Sequence, residues 1–252
     1  MREIRIIGLE TLPIVHEGDD IGALICEAAS REGVGILDGD VIVVSHIIVS
    51  RAEGRVVHLS DVKPSPFAEN VARALGKDPR LVEVVLRESK GIARMGDGHL
   101  ICETKHGFIC ANAGVDRSNV PGEDTVALLP EDPDASARRI RERIRELTGK
   151  DVAVIICDTH GRPLRRGTIN VAIGVAGLDP IWDRRGDRDL FGYVLRVTQV
   201  AVADELASAA ELVMGQAWEG IPVAIVRGYE YRPSEQATAR ELIRPRKQDL
   251  FI

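Results

Sequence analysis

Two aspartates stand out as residues able to do chemistry. Asp116 sits in Cys110-Ala111-Asn112-Ala113-Gly114-Val115-Asp116-Arg117-Ser118-Asn119, and Asp158 opens Asp158-Thr159-His160-Gly161-Arg162. Each follows a short apolar run, Phe108 to Ala111 or Val152 to Cys157, that delivers it into small and polar residues. Carboxylate and hydroxyl oxygens are the ligands Mg²⁺ or Mn²⁺ prefers, and such ions commonly bridge to phosphate oxygens. The same positions also suit turn or helix-cap aspartates.

Other residues extend this candidate site. Arg162, Arg165 and Arg166 follow Asp158 closely and offer a local positive surface for carboxylates or phosphates. Ser50, Arg51 and Arg55 follow an apolar run and suit a phosphate or a solvated polar loop. His46 reads most simply as a core histidine. The glycine-bounded stretch Met214-Gly215-Gln216-Ala217-Trp218-Glu219-Gly220-Ile221 offers side-chain oxygens or backbone amides to a nucleotide, or is a plain connection from helix to strand.

The bulk composition narrows the field. The 252 residues suffice for one large domain or two lobes, and 44% apolar with 29% charged residues is ordinary for a globular protein. Net charge is -6, so the overall field opposes nucleic acid and anionic membranes, and any anion site must be local. Cys26, Cys102, Cys110 and Cys157 form no metal-binding spacing; Cys110 and Cys157 lie in apolar runs, as core thiols do. No signal-peptide core and no apolar run of roughly 20 residues is present, which predicts a soluble cytoplasmic protein.

The elements that must position these residues follow from periodicity and punctuation. Ile4 to Leu9 reads as a strand, and Asp19 or Asp20 caps a helix with Ile21, Leu24, Ile25 and Ala28 on one face. Val41 to Val44 is apolar without alternation, as in a strand covered on both faces that ends at Ser45-His46, and from there Ile47 to Val49 leads as buried strand to Ser50 and Arg51. Ser65-Pro66 and Asp78-Pro79 start two helices, and Asp134 caps a third that closes at Gly149. The third helix's arginine-rich outer face reads as solvated ion pairs. Strands His99 to Glu103 and Phe108 to Ala111 lead to Asp116. Further on, the reading gives strands Ile169 to Val175, Tyr193 to Val200 and Pro222 to Val226, a helix from Ala203 to Val213, and a short helix from Ser234 to Ile243. Neither a P-loop nor a Gly-x-Gly-x-x-Gly turn after a strand occurs, so a bound nucleotide needs another cradle.

Taken together and in order, LPIV at 12 to 15, IIVSRAEGR at 47 to 55, ANAGVDRSNV at 111 to 120, CDTHGRPLRRG at 157 to 167 and MGQAWEGIP at 214 to 222 resemble the coenzyme F420:L-glutamate ligase (F420-0:gamma-glutamyl ligase) family. The resemblance spans nearly the whole chain. It implies an α+β fold over residues 1–252, two-lobed with a discontinuous boundary, in an intertwined homodimer. It implies a GTP- and divalent-metal-dependent ligase, associated with K⁺, that adds L-glutamate through gamma-linked amide bonds to coenzyme F420-0, forming F420-1 and F420-2 by way of an acyl phosphate. Nucleic acid and membrane are not expected partners.

Residue by residue, the resemblance implies that Asp116 and Asp158 hold one Mg²⁺ or Mn²⁺, and Thr159 and Gln216 a second. Leu12, Pro13, Ile14, Val15, His46, Ile47, Arg51, Asn119 and the stretch Met214, Gly215, Gln216, Ala217, Trp218, Glu219, Gly220 and Ile221 would surround GTP. Arg162 joins the two aspartates in the catalytic set, holding carboxylates of glutamate or the growing tail. Two positions depart from the family pattern: Gln216 stands where a carboxylate is expected, and Arg51 where a lysine is common. A same-fold ligase for another anionic acceptor and a non-catalytic nucleotide-binding module stay open as alternatives.

Overall fold

The computed structural model describes residues 2–249. The centre is a five-stranded sheet of β1 (Arg5–Gly8), β2 (Val41–Ser45), β8 (Ala153–Arg162), β9 (Arg165–Ala176) and β12 (Val223–Arg227), ordered β1-β12-β2-β8-β9. Only β2 and β8 run parallel; the other neighbours are antiparallel. Val41 to Val44 and Ala153 to Cys157 are buried, which explains runs without polar alternation. Helices α1 (Ile21–Arg31), α5 (Pro133–Thr148) and α6 (Val202–Met214) contribute Ile25, Ile144, Leu206 and Ala210 to the apolar cluster around this sheet.

A second apolar cluster draws its buried members from residues 59–128. It holds Leu59 from the 3-10 turn Leu59–Asp61, and Val71, Leu81, Val82, Val85, Leu100 and Val126 from helices α3 (Pro66–Leu75) and α4 (Pro79–Arg87) and the strands beside them. Those strands are the pair β3 (Val56–His58) with β7 (Thr125–Ala127) and the antiparallel sheet β4 (Ser89–Gly96), β5 (His99–Thr104) and β6 (Ile109–Ala111). Asp97 and Gly98, both at positive φ, form the turn between β4 and β5. The whole is an α+β arrangement. No helix among the described residues is long and apolar enough to cross a membrane.

Several elements differ from the sequence reading. β2 ends at Ser45, as expected, but Ile47 to Val49 are not strand: α2 (His46–Ala52) starts at once, with Ser45 as its extended N-cap residue. Burial of His46, Ile47, Ile48, Val49 and Ser50 overrides the strand preference of a β-branched run. Helix α5 is capped by Asp132, whose side chain accepts from Ala135 N, with Pro133 in the first turn. Asp134 lies inside instead, accepting from the Val175 and Ala239 backbone N–H groups at 2.8 and 2.9 Å. Of Tyr193 to Val200 only β11 (Gln199–Val200) is strand, paired with β10 (Trp182–Asp183). The segment between them leaves Leu190, Phe191 and Val197 about nine-tenths exposed, so no apolar face anchors a longer ladder. The C-terminal helix reduces to a single 3-10 turn, Ala239–Leu242. The charged face of α5 is paired as expected, with Arg141 on Asp151 and Glu235, and Arg143 on Asp20 and Glu146.

One irregularity lies beside the candidate site. The register of β8 on β9 runs Ile155↔Val175 and Ile156↔Gly174, then slips by one residue to Cys157↔Ala172, Asp158↔Val171 and Thr159↔Asn170. Gly174 sits at this slip because a Cβ there would fall 2.5 Å from the Pro133 carbonyl group, so a side chain would push α5 off the sheet.

Candidate active site

The parallel pairing of β2 and β8 sets Ser45 opposite Cys157, so His46, just past the end of β2, stands beside Asp158, which lies within β8 where that strand continues past its partner, not at a strand end as the apolar run suggested. Ligand sites in α/β sheets favour carboxyl ends such as that of β2. His46 Nε2 lies 3.2 Å from Asp158 Oδ1, and its Nδ1 lies 3.4 Å from Ser50 Oγ one turn along α2. Asp158 also accepts the Thr159 N–H on Oδ1 at 2.7 Å, and its Oδ2 lies 3.0 Å from His160 Nε2. Burial pushes the Asp158 carboxyl up, but the charge and hydrogen bond of His46 with those of His160 outweigh it and hold the group well below the usual carboxylate range. Burial pushes His46 down; the charge and hydrogen bond of Asp158, then the charge of Asp116, reverse this and leave it raised. Each of the pair favours the charged form of the other.

Asp116 arrives from the second apolar cluster. Its backbone exchanges two hydrogen bonds with Ala127, Asp116 N to Ala127 O at 3.0 Å and Ala127 N to Asp116 O at 2.8 Å. Its carboxylate accepts the Ser118 N–H on one oxygen and the Ser118 hydroxyl on the other, both at 2.8 Å. These bonds leave lone pairs on both oxygens.

Asp116 and Asp158 line one cleft of about 450 Å³. Leu12, Pro13, Ile14 and Val15 form part of its wall, with His46, Ile47 and Arg51 from α2, Asn119 beyond Asp116, and Thr159 beside Asp158. Met214, Gly215, Gln216, Ala217, Glu219, Gly220 and Ile221 also line it. Gly215 turns the chain at φ +71°, and Glu219 folds back to accept the Ala217 N–H at 2.7 Å. Trp218, 90% exposed, stands outside the lining, and Arg51 makes no side-chain hydrogen bond or ion pair among the described residues. Arg162 also lies outside the lining, next to the β8–β9 turn, where its guanidinium donates to the Arg166 carbonyl at 3.2 Å. Four strand residues put it about 13 Å beyond Asp158.

The cleft adds residues that the sequence reading passed over. Asn170, buried in β9, lies with its Oδ1 2.8 Å from Thr159 Oγ1 and 3.3 Å from Gln216 Nε2. Its signal was a lone amide in an apolar strand. Ser118 and His160, which hold the two aspartates, sat within motifs already singled out. Cys110 gathers with Asp158 and His160, their ligand atoms within 4.8 Å of one another. Its thiol is pushed up to about 12 by burial and by Asp158, and so is not a nucleophile at neutral pH.

The donor set fits a hard cation. Anionic oxygens of Asp116 and Asp158 and neutral oxygens of Thr159 and Gln216 face one cleft, with no cysteine sulfur offered as thiolate. His46 and His160 supply the outer support that fixes a ligating carboxylate.

A central sheet with a carboxylate-lined cleft where the β2–β8 ladder ends defines an α+β protein. A sequence profile described as F420-0:Gamma-glutamyl ligase matches residues 10–228, and the chain belongs to this family. The coenzyme F420:L-glutamate ligase of Methanothermobacter thermautotrophicus is 53% identical over 250 residues, covering 98% of both chains. That of Methanopyrus kandleri is 51% identical over 249 residues and 96% of both, and that of Archaeoglobus fulgidus 41% identical over 248 residues, 98% of this chain and 96% of its own.

Proposed function

We propose that the protein joins L-glutamate to coenzyme F420-0 by gamma-linked amide bonds, forming F420-1 and F420-2 at the expense of GTP. The observation that carries this reading is the convergence of Asp116 and Asp158, from different apolar clusters, on a cleft whose remaining wall offers backbone and Arg51 to a nucleotide. The relatives' names supply the acceptor and the amino acid.

Asp116 and Asp158 would hold one Mg²⁺ or Mn²⁺, and Thr159 and Gln216 a second. Cations held there would offset charge on the transferring phosphoryl group. His46 and His160 keep Asp158 ionised and oriented, and Arg51 faces the triphosphate. The acceptor's terminal carboxylate oxygen attacks the γ-phosphorus, the bond to the β-phosphate oxygen breaks, and GDP leaves. The glutamate amine then attacks the acyl carbon, releasing phosphate and a proton. Arg162, Arg165 and Arg166 bind carboxylates of the acceptor beyond the cleft. The reading includes stimulation by K⁺ and a two-lobed chain, one lobe around each apolar cluster, in a cytoplasmic intertwined homodimer.

The test incubates the protein with F420-0, L-glutamate, GTP and Mn²⁺ and follows glutamyl mass increments and GDP. Addition that requires GTP supports the reading. GDP release without acceptor, or no addition across metals and K⁺ concentrations, overturns it. Light scattering that returns the mass of one chain would overturn the dimer.

A further inference from the structure

Gln216 is a neutral amide at a position where a carboxylate was expected, and its surroundings contain the missing charge. Asn170 Oδ1 and Gln216 Oε1 both face Thr159 Oγ1, at 2.8 and 3.1 Å. A hydroxyl has one proton, so Thr159 donates to one of these oxygens and meets the other lone pair to lone pair. These three oxygens have between them the Thr159 proton and, at 3.3 Å from Asn170 Oδ1, one Gln216 amide N–H, so no full positive charge faces the cluster.

Glu211, on the last turn of α6, keeps the amides from relieving this by rotation. Its carboxylate only accepts: Oε1 takes the Gln216 Nε2–H at 2.6 Å, and Oε2 takes the Asn170 backbone N–H at 2.9 Å. Turning the Gln216 amide over would set its oxygen against the carboxylate. The same Nε2 lies 3.3 Å from Asn170 Oδ1, and Asn170 Nδ2 lies 3.4 Å from Cys157 Sγ, so the second amide is held with its oxygen toward Thr159. Glu211 itself is not part of the cleft lining.

We propose that Glu211 is a positioning residue for the second cation: it aims the Gln216 and Asn170 oxygens at Thr159 and lends Gln216 the negative charge its side chain lacks. The proposal rests on the reading that Thr159 and Gln216 hold that cation. A hydrogen bond from the amide nitrogen to a carboxylate draws electron density toward the amide oxygen, making it a better ligand for a hard cation. The charge stays one residue back from the cleft, where it does not meet an incoming phosphate.

The experiment compares wild type, Glu211→Gln and the exchange Glu211→Gln with Gln216→Glu. Mn²⁺ alone is titrated and unbound Mn²⁺ is read by electron paramagnetic resonance, with thermal midpoints in parallel. Glu211→Gln can keep the bond from Asn170 N but presents an amide that turns Gln216 over. The expected result is two Mn²⁺ per wild-type chain and a second ion about 10- to 100-fold weaker in Glu211→Gln, with the first unchanged. The exchange places a carboxylate at 216 with an amide behind it, and binding of the second ion returns. A second ion bound by Glu211→Gln with wild-type affinity overturns the proposal alone, as does an exchange that fails to restore it. Wild type that binds one ion overturns the second-metal reading and this proposal together. Because neither GTP nor acceptor is present, the outcome is independent of the ligase assignment.

Discussion

Asp158 and Asp116 face the same cleft but are held in different ways. Asp158 is 9% exposed, anchored mid-strand, and receives His46, His160 and the Thr159 N–H. Asp116 is half-buried on a short bridge to Ala127, and among the described residues its carboxylate is held only by Ser118, two residues away. Asp158 is fixed by a group from a separate strand end, His46, as well as by its neighbours Thr159 and His160, whereas Asp116 is fixed by its own loop. A cation site built this way has one preorganised side and one side free to adapt, so substitutions on the two sides should differ in cost.

The largest effect is expected at Asp158. Asp158→Asn should lower turnover by about 10³-fold or more and Asp116→Asn by about 10²-fold, since a preorganised charge contributes most. Steady-state rates at saturating Mn²⁺ check the order, and a reversal breaks the comparison. Next comes His46→Gln, expected to weaken Mn²⁺ binding about 10- to 100-fold.

The same variant carries a pH signature in the metal-free protein. The depressed Asp158 stabilises the fold above its unfolded pKa and loses that contribution as pH falls through the folded value. The raised His46 stabilises it below its unfolded pKa and loses that contribution as pH rises through the folded value. Wild type should therefore exceed His46→Gln in stability most between about pH 4 and about pH 6.5, with the gap narrowing above. Urea unfolding across pH checks this; a gap that widens toward alkaline pH would contradict it.

Ser118→Ala removes the side-chain donor but keeps the backbone N–H, so its cost should be one ordinary hydrogen bond, about 2- to 13-fold in Mn²⁺ affinity. Smallest of all, Arg162→Ala should leave Mn²⁺ binding unchanged and raise the acceptor KM by less than about 5-fold, as for an exposed ion pair. Loss of Mn²⁺ binding in Arg162→Ala would mean that the hairpin tip supports the cleft after all.

Much of this arrangement was legible in the sequence because it rests on local signals. Caps, prolines and glycines marked α1, α3 and α4, unbroken apolar runs marked β2 and β8, and the carboxylates at the ends of such runs marked Asp116 and Asp158. What depended on pairing between distant strands was not legible. His46 read as a core histidine because nothing near it in sequence reveals that β2 lies parallel to β8 in the register that brings it to Asp158. Glu211, inside the helix expected from Ala203 to Val213, carried no signal of its own, because its partners are 41 residues back at Asn170 and 5 ahead at Gln216. Ile47 to Val49 were misread as strand because β-branched residues suit both a strand and a buried helical turn.

The slip between β8 and β9 divides β9 into two reading frames. In the frame of Ile155↔Val175, Thr159 would lie opposite Val171; in the observed frame it lies opposite Asn170. The additional residue, Ile173, thus acts as a phase shifter that lets the buried half of β9 follow the packing rule of the core while the outer half follows the rule of the cleft. Its deletion would keep every other side chain of the strand yet remove the local mismatch between the frames, coupling the core and the cleft as one uninterrupted ladder. Substitutions on either side of Ile173 can consequently accumulate independently, whereas a change in the number of residues there cannot.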